Sequence, residues 1–237
     1  MGSGDEVVVI TGFGPFRQYL VNPSWEAAKG LKIIGLGDGL KVHIQEVPVS
    51  YSKAMEAITN IWQTVKPKVA VHLGIAPGSR CITLEQRGKN QGYKGRDVCG
   101  LCPANHCCIV GGPDTLDSII DMKSLTKHLK SLDLDVIYSR DAGRYLCDFT
   151  YYCSLYHGQG RAAFIHVPAS GSLACPARLV PLLHSIIQAM LCQLDTPKQT
   201  APTASADYKQ THAEQVQKSF SQSQAAHKDN HLQGGAQ

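Results

Sequence analysis

Cys147 is the side chain in this sequence best placed by its neighbours to act as a nucleophile. It lies in Asp141-Ala142-Gly143-Arg144-Tyr145-Leu146-Cys147-Asp148-Phe149-Thr150-Tyr151-Tyr152. That stretch follows the strand-length apolar run Leu134–Ser139 and leads into an aromatic-rich segment that can continue as a helix. Cys147 is therefore expected near the start of a helix. Backbone N–H groups there favour negative charge and can lower a thiol pKa from roughly 8.5 towards about 3.5–7.5. A nucleophilic sulfur also needs a base, which other segments must supply. The plainer reading of Cys147 is a small buried core residue.

Two further residues come from separate strands. His166 stands near the end of the apolar run Ala162–Pro168. A histidine inside a buried strand is usually a satisfied core residue, but this one falls at the end of a parallel strand, where ligands bind in open α/β sheets. Glu85 is the one acid in the short extended stretch Cys81–Gln86, and taken alone it reads as a solvated surface charge. Cys99, Cys102, Cys107 and Cys108 raise the possibility of a structural metal. Their spacing ends in adjacent cysteines rather than two well-separated couples, so a cysteine-rich loop without metal is expected. The nine cysteines are read as thiols of a reducing compartment.

The elements that must position these residues follow from hydrophobic period. Glu6–Thr11 is a continuous β-branched run, the pattern of a doubly buried parallel strand, and is expected to be central. Gly12-Phe13-Gly14-Pro15-Phe16 breaks it, placing two aromatic rings at its C-terminal end. Asn22-Pro23 reads as an N-cap followed by proline at the first helical position. Lys41–Val47 alternates apolar with polar and is expected near a sheet edge, with His43 outward. Ser50 is expected to cap a helix carrying Met55, Ile58, Ile61 and Trp62, and Lys68–Gly74 gives the third strand. Residues 87–112 read as a long irregular loop or small β excursion. A helix is predicted from Pro113 to about Leu129, and the last amphipathic helix from Pro176 to about Leu194.

These elements predict an α/β fold: a single domain over residues 1–194, built as an open, twisted, mostly parallel sheet with helices on both faces. At 237 residues and 43% hydrophobic content the chain can bury one substantial core. Beyond Asp195 it turns to Gln, Ser, Ala, Thr, His and Lys, so residues 195–237 are expected to be a disordered tail, with His212, His227 and His231 too dispersed to ligate a metal. A net charge of +4 with scattered Lys and Arg argues against a nucleic-acid partner. No segment approaches the roughly 18 uninterrupted apolar residues of a membrane span, and Asp5 and Glu6 stand where a signal peptide carries positive charge. A soluble cytoplasmic protein is expected.

Taken together, Thr11–Phe16, Asn22–Trp25, Ile82–Glu85, Asp141–Cys147 and Phe164–Pro168 resemble the motifs of the type I pyroglutamyl peptidases, in the same order. The resemblance runs from about Val7 to Leu194. It is similar above all to vertebrate members across Asp117–Met122 and Asp141–Tyr152. It implies a cysteine exopeptidase that hydrolyses the amide bond after an N-terminal pyroglutamate through a thioester. Cys147 would be the nucleophile, His166 the acid–base and Glu85 its orienting carboxylate. Phe13 and Phe16 would bind the pyroglutamyl ring, and the partners would be N-terminally blocked peptides. Neither metal nor cofactor is implied.

Two positions near the site depart from that pattern. Arg17 stands where the family usually has glycine, and the run between Leu134 and Asp141 is about two residues short. The second reading is a catalytically silent homologue that binds a blocked N-terminus or a protein partner.

Overall fold

The structure is a computed structural model and describes residues 6–195. The tail expected over residues 195–237 lies outside the described residues apart from Asp195, which ends the last helix.

Six strands form the main sheet: β1 (Glu6–Phe13), β2 (Leu40–Val47), β3 (Val69–Ala76), β4 (Ile82–Glu85), β7 (Val136–Ser139) and β8 (Ala162–Pro168), with β5 (Arg87–Lys89) and β6 (Thr115–Asp117) pairing as a separate antiparallel ribbon. The spatial order is β2-β1-β3-β8-β4-β7. β2, β1, β3 and β8 are parallel; β4 runs antiparallel to β8 and parallel to β7. The expected mostly parallel sheet is therefore present, with two reversed strands at one side. β3 and β8, not β1, take its centre, and β2 lies at an edge with His43 exposed.

The helices α1 (Pro23–Ile34), α3 (Met122–Ser131) and α5 (Pro176–Asp195) cover one face of the sheet, packing aliphatic side chains onto Val8, Ile10, Val71, Leu73, Ile82, Leu84 and Ile165. α5 is long and apolar enough to cross a membrane by length and composition, yet Leu179, Leu183, Ile186, Ile187 and Met190 are buried in this core. The other face is covered by α2 (Tyr51–Asn60), the π-helical turn Ile61–Val65 that extends it, and α4 (Leu146–His157). Its contacts are aromatic: Tyr151 meets Phe164 of β8, and Tyr51 meets Phe149 of α4.

Three local expectations are corrected. The helix predicted from Pro113 begins at Met122, because Thr115–Asp117 pairs with Arg87–Lys89 and the Asp121 carboxylate caps the helix by accepting from the Ser124 N–H. Ser50 is at the N-cap position of α2 but makes no side-chain cap bond; the buried Asp97 carboxylate accepts from the Tyr51 N–H instead, at 3.0 Å. The third correction concerns β7. Its last residue, Ser139, is level with Glu85, which pairs with Phe164, so the strand, running antiparallel to β8, passes the level of His166 at Ile137 and ends two residues beyond it. Residues 140–145, rather than the end of β7, carry the chain across to Cys147, and the shortened run sits on an edge strand.

Candidate active site

The strand register brings the first two site residues together. Gly74 of β3 and Thr83 of β4 flank His166 of β8, while Glu85 pairs with Phe164, two residues back on the same face. From that diagonal position Glu85 Oε1 lies 2.9 Å from His166 Nδ1. Glu85 is 2% exposed, so the solvated charge it resembles in isolation is in fact a buried carboxylate. Its second oxygen, Oε2, has no hydrogen-bond partner among the described residues.

Cys147 arrives from above the sheet, in the first turn of α4. A Cβ added at Gly74 would come within 3.0 Å of its sulfur and 2.7 Å of Phe164 Cζ. Glycine at 74 is thus what lets the sulfur reach the strand beside His166, the residue with which Gly74 pairs. Tyr151, four residues on and so on the same helical face, donates its hydroxyl to the Glu85 carbonyl at 2.8 Å. One helix therefore holds both the sulfur and the backbone of the carboxylate residue. Burial pulls the His166 pKa down, but its bonds to Cys147 and Glu85 and their negative charge outweigh that, raising it to about 10. The proton stays on the imidazole at neutral pH, beside the Glu85 carboxylate.

Around the start of α4, Asp148 is fully buried and accepts from Tyr93 Oη at 3.1 Å and the Lys89 N–H at 3.3 Å, with Arg144 Nη1 at 3.3 Å. Burial raises its pKa to about 7 against the opposing pull of Tyr93, Arg144 and the Lys89 N–H. Arg144 and Lys89 both also pair with Asp141, which ties residues 140–145 to β5.

The structure places the two expected ring-binding residues on different supports. Phe13 is buried with its centroid 6.5 Å from that of Phe164, whose ring is 4.8 Å from His166. Phe16 is half-buried against Tyr145, at 5.7 Å. Their loop is pinned by α1: Ser24 Oγ accepts from the Phe13 N–H, and Asn22 Nδ2 donates to the Gly14 carbonyl, each at 3.0 Å. Gly12 lets this helix approach, since a Cβ there would lie 2.5 Å from the Ser24 carbonyl.

Phe164, Gly74, Tyr151 and Tyr145 are site residues that sequence reasoning missed. Phe164 carried a usable signal, being two residues from His166 on one strand face; Tyr151 carried another, four residues from Cys147. The cysteines at 99–108 are spread in direction. Cys102 donates to the Lys94 carbonyl, Cys107 to the Ile109 carbonyl and Cys108 to the Phe149 carbonyl. Among the described residues no group of three His, Cys, Asp or Glu side chains could hold a metal ion.

An α/β sheet with a cysteine at a helix start, a histidine at a strand end and a buried glutamate behind it defines a cysteine-peptidase type of site. Comparison with known proteins specifies the class: the chain belongs to the pyroglutamyl peptidase family, whose model matches residues 6–181. It is 46% identical over 192 residues to pyroglutamyl-peptidase 1 of Rattus norvegicus, covering 80% of this chain and 92% of that protein. It is 44% identical over 174 residues to the human pyroglutamyl-peptidase 1-like protein, covering 72% and 88%. Among solved structures, a mutant pyrrolidone carboxyl peptidase of Pyrococcus furiosus superimposes with a TM-score of 0.71 at 27% identity, covering 79% of this chain and 99% of that one.

Proposed function

We propose that this protein is a cysteine exopeptidase that hydrolyses the amide bond following an N-terminal pyroglutamate. The observation that carries the reading is His166, which bonds Glu85 through Nδ1 and has the Cys147 sulfur beside its strand neighbour Gly74. With the imidazole proton held beside it, the sulfur attacks the pyroglutamyl carbonyl. The N–H groups of the first turn of α4, where Tyr145 supplies no side-chain cap, stabilise the oxyanion. His166 then protonates the leaving amine, and water activated by the neutral imidazole resolves the thioester. Glu85 keeps Nδ1 oriented and offsets the imidazolium charge throughout. Phe13 and Phe16 offer apolar faces for the neutral lactam ring, and such peptides would be met in the cytoplasm.

A catalytically silent peptide-binding role is the second reading, and Arg17 favours it: its backbone adopts φ 50° in the left-handed region beside Phe16, where a long cationic side chain crowds the ring site. Hydrolysis of a fluorogenic pyroglutamyl amide by the reduced wild type and by Cys147→Ala separates the two. Turnover abolished in the variant supports the peptidase. Absence of turnover in folded, reduced wild type refutes it.

A further inference from the structure

The loops that ring the site are one-signed. Those following β1 (14–22), β2 (48–50), β3 (77–81) and β8 (169–175) contain no acidic residue, while they carry Arg17 and Arg80. Residues 94–96 add two more cations, because this segment wraps Tyr145. The Tyr145 hydroxyl donates to the Arg96 carbonyl at 3.1 Å, and a Cβ at Gly95 would touch the Tyr145 ring at 3.2 Å. Arg17, Arg80, Lys94 and Arg96 are all exposed, and none of them has an ion-pair partner among the described residues.

Two of the three acids around this edge are already engaged. Asp97 is buried and accepts from the N–H groups of Tyr51, Cys99 and Leu101. Asp141 is paired with Lys89 and Arg144. Glu46, at the end of β2, is the exception: its carboxylate lies against Gly14 and has no ion-pair partner among the described residues.

Two of these cations border the segment that carries Cys147: Arg17 lies over the Phe16 ring, which packs on Tyr145, and Arg96 is held by the Tyr145 hydroxyl, two residues before Cys147. On its inner side the Cys147 sulfur meets the buried Gly74 and Phe164, with the buried His166 paired to Gly74. The outer side is Phe16 against Tyr145, with the Arg17 guanidinium 4.7 Å from the Phe16 centroid. A ring lodged between the aromatic groups points the rest of its peptide outwards past these charges.

Resting on the proposed peptidase reading, we infer that the mouth selects pyroglutamyl peptides whose next residues are acidic, with Arg17 and Arg96 as specificity-determining residues. Unpaired exposed cations in a cleft raise the local concentration of anionic ligands and discriminate by charge, an effect that salt screens.

The test measures binding to Cys147→Ala protein of fluorophore-labelled pyroglutamyl-Asp-Asp-Gly and pyroglutamyl-Lys-Lys-Gly, with Gln-Asp-Asp-Gly bearing an unblocked N-terminus as control. At low salt the acidic blocked peptide is expected to bind roughly tenfold more tightly than the basic one. High salt should close most of that gap, and Arg17→Gln combined with Arg96→Gln should remove it. Equal or undetectable binding of the blocked peptides, a gap indifferent to salt, or equally tight binding of the unblocked control would overturn the inference. Turnover of a neutral pyroglutamyl amide by wild type is read separately. Turnover without charge preference refutes the selective mouth alone, whereas charge preference without turnover supports the mouth and refutes the peptidase.

Discussion

The two faces of the main sheet are built from the same strands and differ in chemistry. One face presents Val8, Ile10, Val71, Leu73, Leu84 and Ile165 to α1, α3 and α5, and the packing there is mainly aliphatic, with Trp25 and Tyr138 at its margin. The other presents Thr11, His72, Gly74, Glu85, Phe164 and His166 to α2 and α4. Among the described residues, the three buried side-chain atoms without a hydrogen-bond partner lie on this side: His72 Nε2, Glu85 Oε2 and Thr150 Oγ1. The aliphatic face is where burial of apolar area stabilises the fold. On the second face, polar groups are dried and held at fixed distances, which strengthens their mutual electrostatics at the cost of desolvation.

The comparison breaks most sharply at one residue from each face. His166→Ala is expected to lower kcat/KM for a pyroglutamyl amide by about 10³-fold or more, with the unfolding midpoint little changed. Leu183→Ala, in α5 on the aliphatic face, is expected to cost about 2–5 kcal/mol in urea unfolding while the folded fraction keeps its kcat. Equal damage to activity and stability from both variants would show that the two faces do not divide labour in this way.

Gly74→Ala sharpens the same contrast without removing any catalytic group. The added methyl meets the Cys147 sulfur at 3.0 Å and Phe164 Cζ at 2.7 Å, so one or both must move. A shift of about 1 Å in the nucleophile is expected to cost about 10²-fold in kcat, measurable in burst-phase and steady-state assays. Unchanged kinetics would mean that the sulfur's approach to β3 is not needed for turnover.

Much of this division can be read in the sequence, and the physical reason is strand period. Runs such as Val69-Ala70-Val71-His72-Leu73-Gly74 are apolar at every second position and interrupted by His, Gly or Thr at the alternate ones. The helix start before Cys147 was legible from its strand and aromatic flanks. Glu85 was not legible as a buried acid from its own stretch, because its burial comes from β8 and α4, brought to it by strand order from distant positions, its partner His166 lying 81 residues away in sequence. The reversal of β4 and β7 was also hidden: a short apolar run looks the same in either direction. The β6 pairing that displaced the start of α3 depends on Arg87–Lys89, which carries almost no apolar signal.

The finest contrast lies within the chemical face, between two buried histidines on neighbouring strands. His166 has negative partners that raise its pKa to about 10, whereas His72 has only the Thr11 hydroxyl, at 2.8 Å, and burial lowers its pKa to about 3. Their linkage to stability has opposite signs. For His166 the raised pKa gives stabilisation that is complete below the unfolded value near 6.5 and is lost as pH rises through about 10. His72 must stay neutral to remain folded, so between about 6.5 and 3 the unfolded chain takes up a proton that the folded chain refuses. Stability therefore falls with acidification by about 1.4 kcal/mol per pH unit from this one group. His72→Gln keeps a hydrogen-bonding side chain for Thr11 and does not titrate. Urea midpoints measured from neutral to mildly acidic pH should fall less steeply for the variant than for wild type, the difference of slopes isolating His72 from the carboxylates. Identical slopes would show that His72 takes up its proton in the folded state, and that this part of the face is wetter than its burial implies.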